Sequence, residues 1–374
     1  MALTISQKGS GLQKLVSPSN KDGVNGFREA YAFQLPDNQT VSVSRPFIDR
    51  IALIGVIPAS VYGHTVDKDG EATAEGPKQI AALFKEAIRD QACGLKKPKN
   101  GKSSFAKGSP KPGEKLAYIK VGLRRANVDV RLQPMWGPNK TILDWRLRLE
   151  WNPRKAGREG FERLWQFLAG YLLFEAEGAN EWFRRAEVTR LDISVDLIGA
   201  RRTDLFTVMP LQKKVISHGR WATGLETITH RATDGPKGKA GLIVYDKRQE
   251  RIDAGKLPKF GDLPHQRIER RLAFTGGSGP VVSQLHREDN RLADVTVRYM
   301  RNLPEGPSRF DQQIVAGAAL WLGWKELSKS LKGPLSPAWK TLRTRDGFFW
   351  NAAKLWESWP DAVDEAGLGQ FAER

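Results

Sequence analysis

Thr189-Arg-Leu-Asp-Ile-Ser-Val-Asp-Leu197 decides the fold, because apolar and polar residues alternate strictly along it. This alternation predicts a β-strand with one buried face, formed by Leu191, Ile193, Val195 and Leu197. The opposite row consists of Arg190, Asp192, Ser194 and Asp196. Aspartate is disfavoured in strands and two neighbouring carboxylates repel each other, so we expect arginines or a divalent cation to balance their charge. A solvated sheet face is the alternative interpretation of this polar row.

Three further segments have a similar pattern: Arg146–Trp151, Gly241–Lys247 and Arg267–Leu272. The polar positions that we expect to share a face within each segment are Arg146, Arg148 and Glu150, then Tyr245 and Lys247, then Arg267, Glu269 and Arg271. Paired in one sheet, the four strands form a surface of carboxylates, arginines and one tyrosine. Such a surface suits a phosphodiester substrate, because carboxylates hold a metal, cations bind phosphate and a hydroxyl attacks phosphorus. A structural role at the sheet rim is the alternative for Tyr245.

The charge of the chain points to a polyanionic partner. Its 374 residues have a formal charge of +18 and a pI near 9.9, which favours nucleic acid over a membrane surface. A basic enzyme without such a partner is the alternative. The single cysteine, Cys93, excludes an internal disulfide, and residues 1–26 have no signal-peptide core. We therefore expect a cytoplasmic protein with no membrane partner.

The order of patterns along the chain predicts an α+β fold with a largely antiparallel sheet. Residues 1–45 are predicted to be a flexible arm and a first strand, 46–275 the main domain, and 276–374 a helical region. Gly157–Glu175 is predicted to be an amphipathic helix whose apolar stripe belongs to the core, and a short helix is expected around Asp204–Leu211.

A basic insertion at 95–115 interrupts the main domain. Lys96, Lys97 and Lys99 begin it, and we expect them to contact a DNA backbone. A solvated, disordered insertion is the alternative interpretation.

Several catalytic classes are excluded by missing motifs. The five histidines are scattered without metal-ligand spacing, and neither a phosphate-binding P-loop nor a nucleophile elbow occurs. Carboxylates remain as metal ligands, and oxygen donors suit Mg²⁺ or Mn²⁺. The candidates are Glu150, Asp192, Asp196 and Glu269.

Four motifs in this order resemble the Rep_trans family, the replication initiation proteins of rolling-circle plasmids and filamentous phages. They are Arg148–Pro153, Thr189–Asp196, Val244–Glu250 and Arg267–Leu272, and the resemblance covers residues 46–275. It implies an HUH-like sheet with a carboxylate metal site. It also implies a tyrosine that nicks one origin strand, leaving a 5′-phosphotyrosyl bond and a free 3′-OH.

By position, the resemblance assigns family roles to individual residues. Asp192 and Asp196 match the family's Arg-x-Asp-x-x-x-Asp strand, and Tyr245 to Lys247 match its Tyr-Asp-Lys. Arg267 and Glu269 match its Arg-x-Glu strand. The chain departs from the family at Thr227–Thr233, where many relatives have Thr-x-Tyr-x-Gly-Ser-Arg-x-Ser and this sequence has neither the tyrosine nor the glycine.

We therefore expect a replication initiator of a bacterial plasmid or phage, with Tyr245 as nucleophile and Lys247 balancing charge. The residues expected to bind DNA are Arg146, Arg148, Arg190, Arg267, Arg271, Lys96, Lys97 and Lys99. The expected partners are origin DNA, double- and single-stranded, with a host helicase and a second copy of the chain (a homodimer) as further candidates. The alternatives are a sequence-specific origin binder without nicking activity and a non-specific nucleic-acid-binding protein.

Overall fold

A computed structural model of the chain confirms an α+β fold with a large, mainly antiparallel sheet. It describes residues 5–6, 14–15, 27–34, 38–58, 104–105, 117–123, 126–136, 142–172, 176–209, 214–220, 224–231, 240–275, 277–299, 308, 311, 314–315, 317–318 and 350–373. Among these residues, no helix combines the length and the apolar composition that crossing a bilayer requires.

The strands, in chain order, are β1 (Ile5–Ser6), β2 (Lys14–Leu15), β3 (Glu29–Gln34), β4 (Thr40–Ser44), β5 (Phe47–Pro58), β6 (Ser104–Phe105), β7 (Ala117–Leu123), β8 (Ala126–Trp136), β9 (Ile142–Trp151), β10 (Glu187–Ile198), β11 (Leu205–Val208), β12 (Lys214–Arg220), β13 (Gly224–Arg231), β14 (Ala240–Asp246), β15 (His265–Ala273) and β16 (Thr296–Tyr299). The α-helices are α1 (Pro153–Phe167), α2 (Ala176–Arg185), α3 (Lys247–Asp253), α4 (Ala352–Trp356) and α5 (Trp359–Glu365). A π-helical turn, Leu168–Leu172, follows α1, and 3-10 turns occupy Arg202–Asp204 and Val282–Arg287.

The chain forms two compact units, each assembled from three separate stretches. The first unit contains Met1–Pro46, Ile193–Leu272 and Asp289–Trp359, and the second contains Phe47–Asp192, Ala273–Glu288 and Pro360–Arg374. In the first unit, β12 to β15 form a consecutive antiparallel series, β15 neighbours β10, and β4 pairs with β3 and with the end of β10. In the second unit, antiparallel strands follow in the order β5, β9, β8, β7, β6.

The core of the second unit forms between the apolar row of β5 and β9 and the helices α1 and α2. Leu53 lies opposite Leu149 in the register, and both are fully buried. The ring of Phe161 on α1 lies 6.2 Å from that of Trp151, 5.4 Å from Phe183 and 6.1 Å from Phe371, measured between ring centroids. The predicted apolar stripe of this helix is therefore a core face.

The start of α1 is encoded locally. Asn152 caps the helix by accepting a hydrogen bond from the backbone N–H of Lys155, 2.9 Å away, and Pro153 suits the first turn because it needs no N–H donor there. Gly157 has a φ of +67°, a conformation that glycine adopts without steric cost, and it kinks the helix. The helix therefore begins at Pro153, four residues before the predicted start at Gly157.

The structure differs from the sequence predictions at several elements, and strand β16 lies within the region 276–374 that was predicted to be helical. Leu205–Val208 is strand β11 and not part of a helix, because it pairs with β16 from far along the chain. A short apolar run does not distinguish helix from strand by itself. The helix α2 was not predicted, since Gly178 weakens its helical pattern.

Replacing Phe161 by alanine should lower the free energy of unfolding by about 3–5 kcal/mol, because it leaves a cavity among three aromatic rings. Urea unfolding followed by tryptophan fluorescence measures the change. The control is Arg158→Ala on the same helix, whose side chain is 89% exposed and which should shift stability by no more than about 0.5 kcal/mol. Equal effects of the two variants would contradict the packing described here.

Candidate functional site

Three of the four residues in the polar row of β10 are buried, so the alternative of a solvated sheet face is wrong. Asp192 and Asp196 are each 1% exposed, and Ser194 between them is fully buried. An ionised carboxylate is costly to bury unless it is paired with a cation and hydrogen-bonded. Each of these carboxylates therefore needs a cationic partner in its own surroundings.

In the second unit, three arginines converge on Glu150. Oε1 of Glu150 lies 2.7 Å from Nε of Arg50 and 3.4 Å from Nη1 of Arg190. Oε2 of Glu150 lies 3.1 Å from Nη2 of Arg148. Arg190 also binds Asp192, two residues along the same strand, at 2.6 Å. We call these five residues the Glu150 group.

The carboxylate of Glu150 is ionised at neutral pH. Burial alone would raise the pKa of Glu150, but the charges of Arg50, Arg148 and Arg190, with the hydrogen bond from Arg148, hold that pKa below its ordinary value. Arg148 is further fixed by donating to Thr189 Oγ1 at 3.0 Å. The group thus has charges of both signs in fixed positions.

In the first unit, Asp196 is bound by Arg267 of β15. Arg267 Nε lies 2.7 Å from Oδ1 of Asp196, Nη2 lies 3.1 Å from Oδ2, and His265 Nε2 lies 3.4 Å from Oδ1. Burial alone would raise the pKa of Asp196, but Arg267 and His265 together hold it well below its ordinary value. We call Asp196, His265 and Arg267 the Asp196 group.

The predicted nucleophile, Tyr245, is placed beside this group by strand register. Tyr245 on β14 lies directly opposite Arg267 on β15, and opposite residues of an antiparallel pair project from the same face. Tyr245 is half-buried, and Thr227 of β13 lies opposite it on the other side. The structure therefore brings Tyr245 and Arg267 together.

Lys247 is not a strand residue that shares a face with Tyr245, as the sequence pattern had predicted. The strand ends at Asp246, whose carboxylate caps α3 by accepting from the backbone N–H of Gln249 at 2.9 Å. Lys247 is the first residue of α3 and forms an ion pair with Glu250. Its Nζ still lies 5.4 Å from the centre of the Tyr245 ring.

The remaining candidates are distributed over other positions. Glu269 is 3% exposed, and Nε of Arg271 lies 2.6 Å from its Oε1. Arg146 of β9 is exposed, and no hydrogen bond or ion pair involves it in the part of the chain that the structure describes. The predicted contacts Lys96, Lys97 and Lys99 lie outside the described residues.

The four predicted metal ligands offer the oxygen donors that Mg²⁺ and Mn²⁺ prefer, but in the structure each of them binds an arginine. Within the described ranges, no group of three or more His, Cys, Asp or Glu side chains is arranged to hold a metal ion. A divalent cation would compete with the guanidinium groups for these oxygens. The metal site stays a prediction.

Sequence reasoning missed Arg50 and His265. Arg50 lies in a polar interruption, Asp49–Arg50, near the start of the apolar strand β5, and that interruption was the available signal. His265 is the first residue of β15, two positions before Arg267, and so shares its face. Alternation was therefore sufficient to find His265.

The described part of the segment Thr227–Thr233, residues 227–231, belongs to strand β13 and contributes to the core. His230 of β13 is fully buried, and its Nε2 lies 2.9 Å from the hydroxyl oxygen of Thr207. Burial, assisted by the nearby charge of Arg202, lowers the pKa of His230 to about 3. The imidazole is therefore neutral and belongs to the packing of the first unit.

The fold and these groups define a class only: an α+β protein whose large antiparallel sheet contains buried arginine–carboxylate pairs. Neither a protein-family model nor any curated protein matches the sequence. Function must therefore be argued from the residues of this chain.

Replacing Arg267 by glutamine should lower the free energy of unfolding at pH 7 by about 3–5 kcal/mol, because it leaves the Asp196 carboxylate buried without its cation. In the native protein the pKa of Asp196 is lower than in the unfolded chain, where it is about 4. This difference stabilises the fold above about pH 4, and the stabilisation is lost at lower pH. In the variant the pKa of Asp196 should be raised instead, so the deficit should widen from pH 4 to pH 7.

Urea unfolding at several pH values in this range measures this deficit. The control is Arg248→Gln, which breaks an exposed ion pair with Asp262 and should cost less than about 1 kcal/mol. A deficit that does not depend on pH would show that Arg267 does not set the charge state of Asp196.

The pKa of about 3 at His230 predicts a second, separate pH dependence. The unfolded chain binds a proton below about pH 6.5 that folded His230 does not, so stability should fall by about 1 kcal/mol per pH unit as the pH drops from 6.5 towards 4. In His230→Gln this pH dependence of the free energy of unfolding should disappear. Above pH 7, the curves of stability against pH for wild type and variant should run parallel. Urea midpoints from pH 4 to pH 8 test it, and an unchanged slope would refute the assignment.

Proposed function

We propose that the protein is a replication initiator of a bacterial plasmid or phage that works in the cytoplasm and nicks one strand of its origin DNA through Tyr245. The observation that carries this proposal is the register pair of Tyr245 and Arg267, in which Tyr245 on β14 lies opposite an arginine of β15 that binds Asp196. The formal charge of +18 and the resemblance of residues 46–275 to the Rep_trans motifs support it.

The proposed step is a transesterification at one phosphodiester. The hydroxyl oxygen of Tyr245 attacks phosphorus and loses its proton to solvent, while the bond from phosphorus to the 3′ oxygen breaks and that oxygen takes up a proton. The products are a 5′-phosphotyrosyl bond and a 3′-OH that primes synthesis, and the reverse reaction rejoins the strand.

Two cations near Tyr245 would balance the charge that develops on the phosphoryl oxygens. Arg267 lies opposite Tyr245 in the register, and Lys247 Nζ lies 5.4 Å from its ring centre. A bound Mg²⁺ or Mn²⁺ would supply further polarisation of the phosphate. The phosphate contacts proposed for Arg146, Arg148, Arg190 and Arg271 would hold the DNA backbone. A host helicase and a second copy of the chain are the protein partners that this function predicts.

A second candidate is an origin-binding initiator without nicking activity. Each of the four candidate metal ligands already binds an arginine, so its charge is balanced without a metal. This pairing favours the second candidate. It is also favoured by the absence of a tyrosine from Thr227–Thr233, where many family members have one.

Nicking of supercoiled DNA with Mg²⁺ separates the two candidates. The origin sequence is first selected from a randomised duplex library at moderate salt. Wild type should then form a covalent protein–DNA adduct, and Tyr245→Phe should lose it with unchanged duplex affinity. The control, Tyr31→Phe, should keep the adduct, since Tyr31 is 4% exposed and burial raises its pKa to about 12.

Each other outcome has a defined meaning. An adduct that persists in Tyr245→Phe excludes Tyr245 as the nucleophile. Sequence-specific binding by wild type without any adduct supports the second candidate. Binding that shows no sequence preference once salt is raised contradicts both and leaves a non-specific nucleic-acid-binding protein. Loss of the adduct in EDTA tests the predicted metal.

A further inference from the structure

The second unit contains a cavity of about 790 Å³ at the end of strand β5. Its apolar walls are formed by Ile54, Gly55, Val56, Pro58, Trp182 and Phe274. The volume is within the range of roughly 300–1,000 Å³ that is typical of small-ligand sites. The side chain of Val56 is 49% exposed, although it is large and apolar. The cavity is thus both accessible and partly hydrophobic.

Gly55 is what allows the aromatic wall to form. A Cβ atom at this position would lie 2.5 Å from Nε1 of Trp182, so a larger residue would displace the indole. Trp182 is 5% exposed, and within the described residues its Nε1 has no hydrogen-bond partner. The indole therefore contributes its apolar ring, and not its buried N–H, to the lining of the cavity.

Some polar side chains of the cavity bind other protein groups, and others can still form hydrogen bonds or ion pairs with a ligand. Glu181 and Arg185 form an ion pair with each other on α2. Glu187 accepts from the backbone N–H of Gly279 at 3.3 Å and keeps acceptor capacity. Arg146 has no hydrogen bond or ion pair among the residues that the structure describes. The cavity therefore offers a cation, a carboxylate and flat apolar walls.

We propose that this cavity binds an unstacked nucleotide of single-stranded DNA, with its base against Trp182 and Phe274 and its phosphate on Arg146. A nucleotide matches all three features, because it combines a flat aromatic ring, a polar edge with donors and acceptors, and an anion. The inference rests on the proposed function, which requires strand separation at the origin. It names a site for the separated strand that is distinct from Tyr245.

Fluorescence anisotropy with labelled (dT)₁₂ and an abasic 12-mer of the same charge tests the proposal. Wild type should bind (dT)₁₂ more tightly than the abasic 12-mer. Phe274→Leu should weaken (dT)₁₂ binding about 5- to 150-fold and reduce this difference, since stacking of one base contributes about 1–3 kcal/mol. Arg146→Ala should still bind (dT)₁₂ more tightly than the abasic 12-mer. It should reduce the magnitude of the slope of the logarithm of the (dT)₁₂ association constant against the logarithm of the salt concentration by about 0.7, the value for one phosphate of single-stranded DNA.

Arg158→Ala is the charge-matched control, because it removes an exposed, ion-paired arginine of the same unit that does not line the cavity. Its (dT)₁₂ affinity and salt slope should match those of wild type. Photocrosslinking of an oligonucleotide with one 4-thiothymidine should label the peptides that contain Trp182 or Phe274. Urea midpoints of all variants check that they are folded.

The outcomes separate this inference from the proposed function. If wild type binds and nicks origin duplex but the cavity variants bind (dT)₁₂ normally, or the crosslinks map elsewhere, the nucleotide site is refuted and the initiator stands. If wild type binds (dT)₁₂ through the cavity but has no origin preference, the initiator fails and the nucleotide site stands. If wild type binds neither DNA, both fail.

Discussion

Burial of ionised carboxylates on β10 is the constraint on which the rest of the site depends. Asp192 and Asp196 are each 1% exposed, and neither is tolerable there without a guanidinium partner. Asp192 takes its partner, Arg190, from the same strand, where it is available from local alternation. Asp196 takes Arg267 from β15, so its charge is balanced only when the tertiary register is correct. A slip of one residue would turn Arg267 to the opposite face and remove this partner from Asp196.

The same register determines the surroundings of Tyr245. Because Tyr245 lies opposite Arg267, the interaction that fixes Arg267 against Asp196 also fixes which cation lies beside the phenol. A buried ion pair is weak evidence for stability, because desolvation of the two charges offsets their attraction. The bond between Arg267 and Asp196 does, however, hold the Arg267 side chain in one position. The arrangement suits an active site that needs a cation at a defined place. It also means that any divalent metal at these carboxylates must compete with arginine.

The parts of the fold that are local properties of the chain were predictable. Alternation located β9, β10 and β15, and the apolar stripe of α1 identified Phe161 as a core residue. Strand β11 was not predictable, since its identity depends on pairing with β16. Asp246 could have indicated the end of β14, because aspartate is a favoured residue at a helix N-cap. The end was not predicted, because the alternating pattern of the strand continues through Lys247.

The partners of the candidate residues could not be predicted from the sequence, and this matters most for function. Arg146 and Arg148 occupy the same row of β9 and look equivalent in the sequence. In the structure, Arg148 is bound to Glu150 and Thr189, whereas Arg146 is exposed at the cavity beside Trp182.

Only an arginine without a protein partner can give its full hydrogen-bonding capacity to a phosphate, since a paired one must first break an existing interaction. The formal charge of +18 therefore overstates the number of cations that are available for direct contacts, although all of them contribute to long-range attraction. The capacity of a surface to bind phosphate is thus determined less by the number of basic residues than by which of them the fold leaves without a carboxylate.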